Sequence, residues 1–99
     1  MNKLEYFGEV IKVVTELMDV EDKDILGKSK SVEAVDARWM VIHLMREKGY
    51  STNHIAPLIC HPARTVNHAL AFFEDRVRYS NRGLGNTLAT AKQMLGNNH

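Results

Sequence analysis

Apolar positions recur at helical spacing along almost the whole chain. In residues 5–20, Phe7, Val10, Ile11, Val14, Leu17 and Met18 follow steps of three and one, the signature of a helix with one buried stripe. Glu5 and Glu9 suit the positive end of that helix. Residues 22–26 predict a further helical turn, anchored by Ile25 and Leu26 and ended by Gly27 in a left-handed conformation. Residues 32–48 predict the longest helix. Val35, Trp39, Ile42 and Met45 form its main stripe, and Ala34, Ala37, Val41 and Leu44 widen it, so it reads as the central buried helix. Asp36, His43 and Glu47 share its remaining polar face, and Gly49 stops it.

Residues 51–73 predict a short helix, a tight turn and a second helix. Ser51, Thr52 and Asn53 offer oxygens that can cap the first, which turns Ile55, Leu58 and Ile59 inward. Cys60 and His61 make the turn. Pro62 suits a first helical position, where its fixed φ is already helical and its missing N–H costs nothing. Val66, Ala69, Leu70, Phe73 and Val77 share one sector of the second helix, which runs on to Tyr79. Residues 80–83 break it. Residues 85–95 predict a weaker last helix with Leu88, Ala91, Met94 and Leu95 inward, packing over the outward-facing Phe72, and residues 96–99 are expected to fray. There is no strand pattern, internal repeat or low-complexity tract. The expectation is an all-α fold: a small bundle of five to six helices forming a single domain over residues 1–99, with a helix-turn-helix over residues 51–79.

Bulk composition adds little to this picture, and charge adds more. A chain of 99 residues is enough for one small core. The single cysteine, Cys60, excludes an intrachain disulfide and suits a reducing compartment. No apolar run approaches a membrane span and the amino terminus has no signal-peptide pattern, so the expected location is cytoplasmic. The net charge of +1 conceals an asymmetry. Residues 1–27 carry three lysines against seven carboxylates, net −4, and residues 28–99 carry ten cations against five carboxylates, net +5. An acidic front and a basic remainder point to a polyanion-binding surface.

The candidate chemistry lies in that basic part. His61, Arg64, Thr65 and His68 share the exposed amino-terminal face of the second helix of the pair, without a carboxylate among them. A helix that reads a DNA groove needs such groups: donors and acceptors for base edges and nothing that repels phosphate. A solvated helix face would look the same. Lys28, Ser29, Lys30 and Ser31 form a loop that can follow a phosphate backbone or enter a minor groove. Arg38 and Arg46 are eight residues apart, roughly 12 Å along one helix, and can both reach phosphate or make surface ion pairs. His54, Cys60, His61 and His68 do not have the spacing of a zinc site, since His61 and His68 are about 10 Å apart on a helix. No acid–base pair or nucleophile with its base is evident, so neither an enzyme nor a cofactor is expected.

The order of these parts resembles the carboxy-terminal DNA-binding domain of the bacterial replication initiator DnaA, over roughly residues 10–77. Asp24-Ile25-Leu26 stands where that family has an Asp-Leu-Leu-like element, and the basic loop at residues 28–31 follows it. Ala37-Arg38 and then Met40 match the opening of its long helix, and Ser51 with Ile55-Ala56 matches its next short helix. The family's signature Arg-Asp-His-Thr-Thr-Val-x-His-Ala is here His61-Pro62-Ala63-Arg64-Thr65-Val66-Asn67-His68-Ala69.

The resemblance implies a Trp-repressor-like helix-turn-helix that binds double-stranded DNA in replication initiation or transcription control, hence a nucleoid-associated location. It implies a minor-groove role for Lys30 beside Lys28, phosphate contacts for Arg38 and Arg46, and major-groove or phosphate contacts for His61, Arg64, Thr65 and His68. The chain departs from the family where Pro62 and Ala63 replace an Asp and a His that read bases, and where Arg64 replaces a threonine. Each lost base pairing costs on the order of 1–3 kcal/mol of discrimination, and Arg64 would most naturally add a preference for guanine. There is no G-x-x-x-x-G-K-[ST] phosphate loop, so a stand-alone module without an ATPase engine is implied. The alternative is a protein-interaction module that keeps the fold but not DNA binding, meeting a partner or a second copy through Phe72, Met94 and Leu95. Neither reading involves a membrane or a small-molecule substrate.

Overall fold

A computed structural model describes residues 1–96 of the chain. Among the described residues the protein is all-α, with six helices and no strand: α1 (Lys3–Met18), α2 (Asp22–Leu26), α3 (Val32–Lys48), α4 (Thr52–Ile59), α5 (Ala63–Tyr79) and α6 (Leu84–Gly96). Helix α1 starts two residues before the apolar stripe suggests. The Asn2 side chain accepts from the Glu5 N–H at 2.8 Å while the Glu5 carboxylate accepts from the Asn2 N–H, a reciprocal cap. Ser31 caps α3 through the Ala34 N–H at 3.2 Å, and Gly49 ends it at φ 114°, a conformation that costs glycine nothing.

Helix α3 is the axis of the bundle and touches all five other helices. Its Ala37, Met40, Val41, Ile42 and Met45 are fully buried, as the wide apolar sector predicts. Around them sit Phe7, Val10 and Val14 of α1, Ile55 and Ile59 of α4, Val66, Ala69 and Phe73 of α5, and Leu84, Ala91 and Leu95 of α6. Each of the larger side chains contributes roughly 1.5–3 kcal/mol by leaving water, so the stripes of α1, α3 and α5 supply most of the cohesion.

Several expectations are corrected. Gly27 is extended, at φ −87°; it is glycine because a Cβ there would lie 2.6 Å from the Lys23 carbonyl oxygen. Left-handed backbone occurs instead at Asp19 after α1 and Cys60 after α4, at φ 53° and 63°, besides the glycines Gly49 and Gly83, at 114° and 70°. Pro62 is the extended residue before α5, at ψ 157°, rather than the first helical one. Ser51 precedes α4 without capping it by its side chain, because its Oγ lies 3.2 Å from His54 Nδ1. Pro57, inside α4, was not anticipated; it removes one intrahelical hydrogen bond from an already short helix. Helix α6 packs on α1, α3 and α5 but does not cover Phe72, which stays 48% exposed, whereas Leu95 is a core residue. Fraying at residues 97–99 lies outside the described residues.

Candidate nucleic-acid interface

Arg38 organises the region from which the rest of the site is built. It lies in the second turn of α3, facing α2, and is only 5% exposed. Its Nε donates to the Ile25 carbonyl at 2.8 Å, and one terminal nitrogen donates to the carbonyls of Asp24 (2.8 Å), Gly27 (3.0 Å) and Ser29 (3.0 Å). Burial lowers its pKa from the ordinary arginine value, but a guanidinium still carries its charge at neutral pH. Nε and that terminal nitrogen are thus committed to the protein, where they fold residues 24–29 around themselves.

The loop so formed carries Lys28 and Lys30 on its outside. Both are exposed and neither makes a side-chain hydrogen bond or an ion pair. The same loop touches the start of α5. His61 Nε2 donates to the Gly27 carbonyl at 2.7 Å, across 34 residues of sequence. His61 is thus half-buried and bridges two elements, with one ring nitrogen already committed to protein.

From His61 the candidate face continues along α5. Arg64 is exposed and without a partner, and Thr65 is half-buried next to it. The exposed His68 presents its ring to the edge of Trp39, with centroids 5.5 Å apart, and lies 4.7 Å from the Phe72 ring. On the other side of α5 an open groove of about 540 Å³ runs between Arg46, the start of α4 (Ser51, Thr52, Asn53) and Ala63, Asn67, Leu70 and Ala71 of α5. Arg46 is exposed, and its one intramolecular bond, to the Tyr50 carbonyl, is long at 3.5 Å. Thr52 Oγ1 donates to Asn67 Oδ1 at 2.6 Å and ties α4 to α5 beside it. The sequence offers Thr52 only as a capping oxygen and Asn67 only as a variable signature position; the hydrogen bond between residues 15 apart has no local signature.

Two further basic residues are withdrawn from this face. Asp36, expected on a polar surface, is 2% exposed and receives Arg76 Nε at 2.5 Å, Arg82 Nε at 2.6 Å and a terminal nitrogen of Arg82 at 3.0 Å. Arg76 also lies 5.0 Å over the Trp39 ring. What remains available is the set Lys28, Lys30, Arg46 and Arg64, arranged as loop, helix start and groove.

A second polar cluster lies in a cleft of about 440 Å³ between α3, α5 and α6 and includes none of the predicted site residues. There the His43 ring stacks on Phe73 at 4.5 Å. His43 Nε2 and Lys92 Nζ both approach Glu47 Oε1, at 2.9 Å each. Burial pushes the His43 pKa below its usual 6.5, against the opposing pull of Glu47.

Among the described residues no group of three or more His, Cys, Asp or Glu side chains is placed to hold a metal ion, and no helix is long and apolar enough to cross a membrane. A scan against protein-family models gives no match, and searches of curated proteins and of solved structures give none.

Proposed function

We propose that the protein is a module that binds double-stranded DNA, with α4, the turn at residues 60–62 and α5 acting as a helix-turn-helix. In this reading α5 enters the major groove, Arg64, Thr65 and His68 meet base edges or phosphates there, and Lys28, Lys30 and Arg46 hold the backbone on either side. The observation that carries it is the His61–Gly27 hydrogen bond. It sets the basic loop, with its unpartnered Lys28 and Lys30, against the residue one turn before the unpartnered Arg64, across 34 residues of sequence. The reading agrees with the resemblance to the DnaA carboxy-terminal domain, and replication initiation or transcription control are the processes that resemblance suggests. Arg38 supports the interface from behind rather than touching phosphate. With Pro62 and Ala63 offering no polar side-chain atoms, base discrimination would rest chiefly on Arg64, for which guanine is the natural partner.

The test is selection from a randomised duplex pool at low and moderate salt. Enrichment of one motif establishes sequence-specific binding, and Arg64→Ala then lowers the preference more than the overall affinity. Salt-sensitive binding without enrichment would make the protein a non-specific DNA binder. Absence of binding at low salt would remove this reading. The second reading, a protein-interaction module, draws on Phe72 and Tyr79, 48% and 79% exposed and seven residues apart on one side of α5. A partner held by those rings would bind with little dependence on salt, whereas phosphate contacts weaken steeply as salt rises.

A further inference from the structure

The carboxyl-terminal half of α5 carries an apolar stripe that the bundle leaves uncovered. Phe72 and Tyr79 are 48% and 79% exposed and lie on one side of the helix. Helix α6 packs on α5 yet leaves both rings outside. Among the described residues, the exposed Asp75 and Arg78 meet no opposite charge. At roughly 100° per residue both fall on the same flank of the stripe, about 50° and 110° from its centre. Arg64 falls on that flank too, about 70° from the centre.

A second copy of α5 fits this stripe when it runs antiparallel. A two-fold axis midway between residues 75 and 76 sets each Phe72 opposite Tyr79 of the second copy. The axis keeps the charged flanks on one side. Each Asp75 then lies within about 3 Å, measured along the helix, of Arg78 of the second copy. Apolar and charged groups are thus both self-complementary, which an isologous contact requires. The two rings offer roughly 250 Å² per copy. A stable interface takes about 800 Å² from each partner, so this stripe is too small to hold a dimer by itself. Two copies on one duplex, however, meet at an effective concentration far above that of the solution. The spacing suits that arrangement. With a rise of about 1.5 Å per residue, the two Arg64 residues stand roughly 35 Å apart on the same side of the pair. Half-sites one turn of the duplex apart are separated by roughly 34–36 Å.

We propose that two copies of the protein pair antiparallel through Phe72 and Tyr79 when bound to a duplex, so that the preferred site is an inverted repeat with half-sites about one helical turn apart. The proposal rests on the DNA-binding reading and extends it. It gives the exposed rings to a second copy of the chain, and Asp75 to Arg78 of that copy.

The experiment is disulfide cross-linking of whole-protein variants, with Cys60→Ser removing the native thiol. Phe72→Cys and Tyr79→Cys are made separately; both positions are exposed, so neither change opens the core. In the proposed register, position 72 of one copy faces position 79 of the other with Cα atoms about 5 Å apart, within reach of a disulfide. Two copies of the same variant hold their thiols roughly 10 Å apart along the helices, beyond that reach. Oxidation of an equal mixture of the two variants should therefore give cross-linked dimer, and either variant alone should not. A 40-base-pair duplex of mixed sequence at low salt should raise the yield about tenfold or more. Duplex binding is followed in parallel by fluorescence anisotropy. Asp75→Arg should lower the yield of the mixture, and adding Arg78→Asp to the same chains should restore it.

If the duplex is bound and the mixture does not cross-link, the pairing is overturned and the DNA reading stands. If each variant alone cross-links as well as the mixture does, the contact is random collision and the pairing is likewise overturned. If the mixture alone cross-links at high protein concentration while no duplex is bound, the antiparallel contact stands and the DNA reading fails, together with the inverted repeat. If there is neither binding nor cross-linking, both are wrong.

Discussion

Helix α3 buries two charges two residues apart and satisfies them in opposite ways. Asp36, 2% exposed, is met by full charges brought from 40 and 46 residues away, Arg76 of α5 and Arg82 of the turn after it. Arg38, 5% exposed, is met by four carbonyl oxygens from 9 to 14 residues away, all in α2 and the loop that follows. The first arrangement closes the bundle by fastening α5 and the start of α6 to α3. The second shapes a loop and leaves a positive charge behind it. The two also differ in what their loss would strand. Without Asp36 two arginines remain, with side chains 24% and 38% exposed, and both can turn toward water. Without Arg38 the stranded oxygens belong to the main chain, and they can be hydrated only if the loop itself moves.

The largest expected effect follows from that difference. Arg38→Met keeps the length of the side chain and removes every donor. An unsatisfied buried carbonyl costs about 1–3 kcal/mol, and the Gly27 oxygen would keep its bond to His61. Allowing water to reach some of the others, the loss should be about 3 kcal/mol in urea denaturation, with faster amide exchange concentrated in residues 22–31. Asp36→Ala should cost less, about 2 kcal/mol. Breaking a buried pair usually costs more than this, but here the surviving arginines can be solvated. Its faster exchange should lie in residues 76–91. If Asp36→Ala proves the more damaging of the two, or if its exchange pattern coincides with that of Arg38→Met, the contrast between the two centres is wrong.

The same contrast explains what could be read in advance. Helix positions were legible because the stripes of α1, α3 and α5 are long enough for the 3.6-residue period to be unambiguous. Residues 32–48 were delimited correctly because Gly49 is the stop that the pattern suggests. The start of α1 was misplaced because Asn2 and Glu5 act through a cap that the apolar stripe does not record.

In the candidate site, Lys28, Lys30, Arg46 and Arg64 were identified by charge and lie at the surface, where charge is a good guide. Arg38 and Asp36 were misjudged because a charged residue on a helix is ordinarily exposed. Nothing local distinguishes one whose partners are carbonyls of another segment, or arginines 40 and 46 residues later. Trp39 was read as core, yet it is half-buried beside His68 and Arg76, and that placement depends on how α5 crosses α3.

His43 offers a third case on the same helix and the smallest effect, because here the charge itself is optional. Half-buried against Phe73, it is held below its usual pKa of 6.5, chiefly by burial. The unfolded chain therefore takes up the proton first as pH falls, and binding protons preferentially to the unfolded state lowers stability. Above about pH 6.5 the residue is neutral in both states and contributes no pH dependence. As pH falls through 6.5 the fold loses stability, and the loss levels off once the folded form is protonated as well. Glu47, 2.9 Å from Nε2, opposes the shift, and Lys92 on the same carboxylate oxygen restores part of it. The measurement is the urea midpoint at about pH 7.5 and about pH 5.5 for the native protein and His43→Gln, the variant's pH response being subtracted to remove the carboxylates. The native protein should lose more on acidification, by less than the Asp36→Ala effect. Equal responses would mean that α3 tolerates a protonated His43, and hence that a buried charge on this helix does not need the full set of partners that Asp36 and Arg38 have assembled.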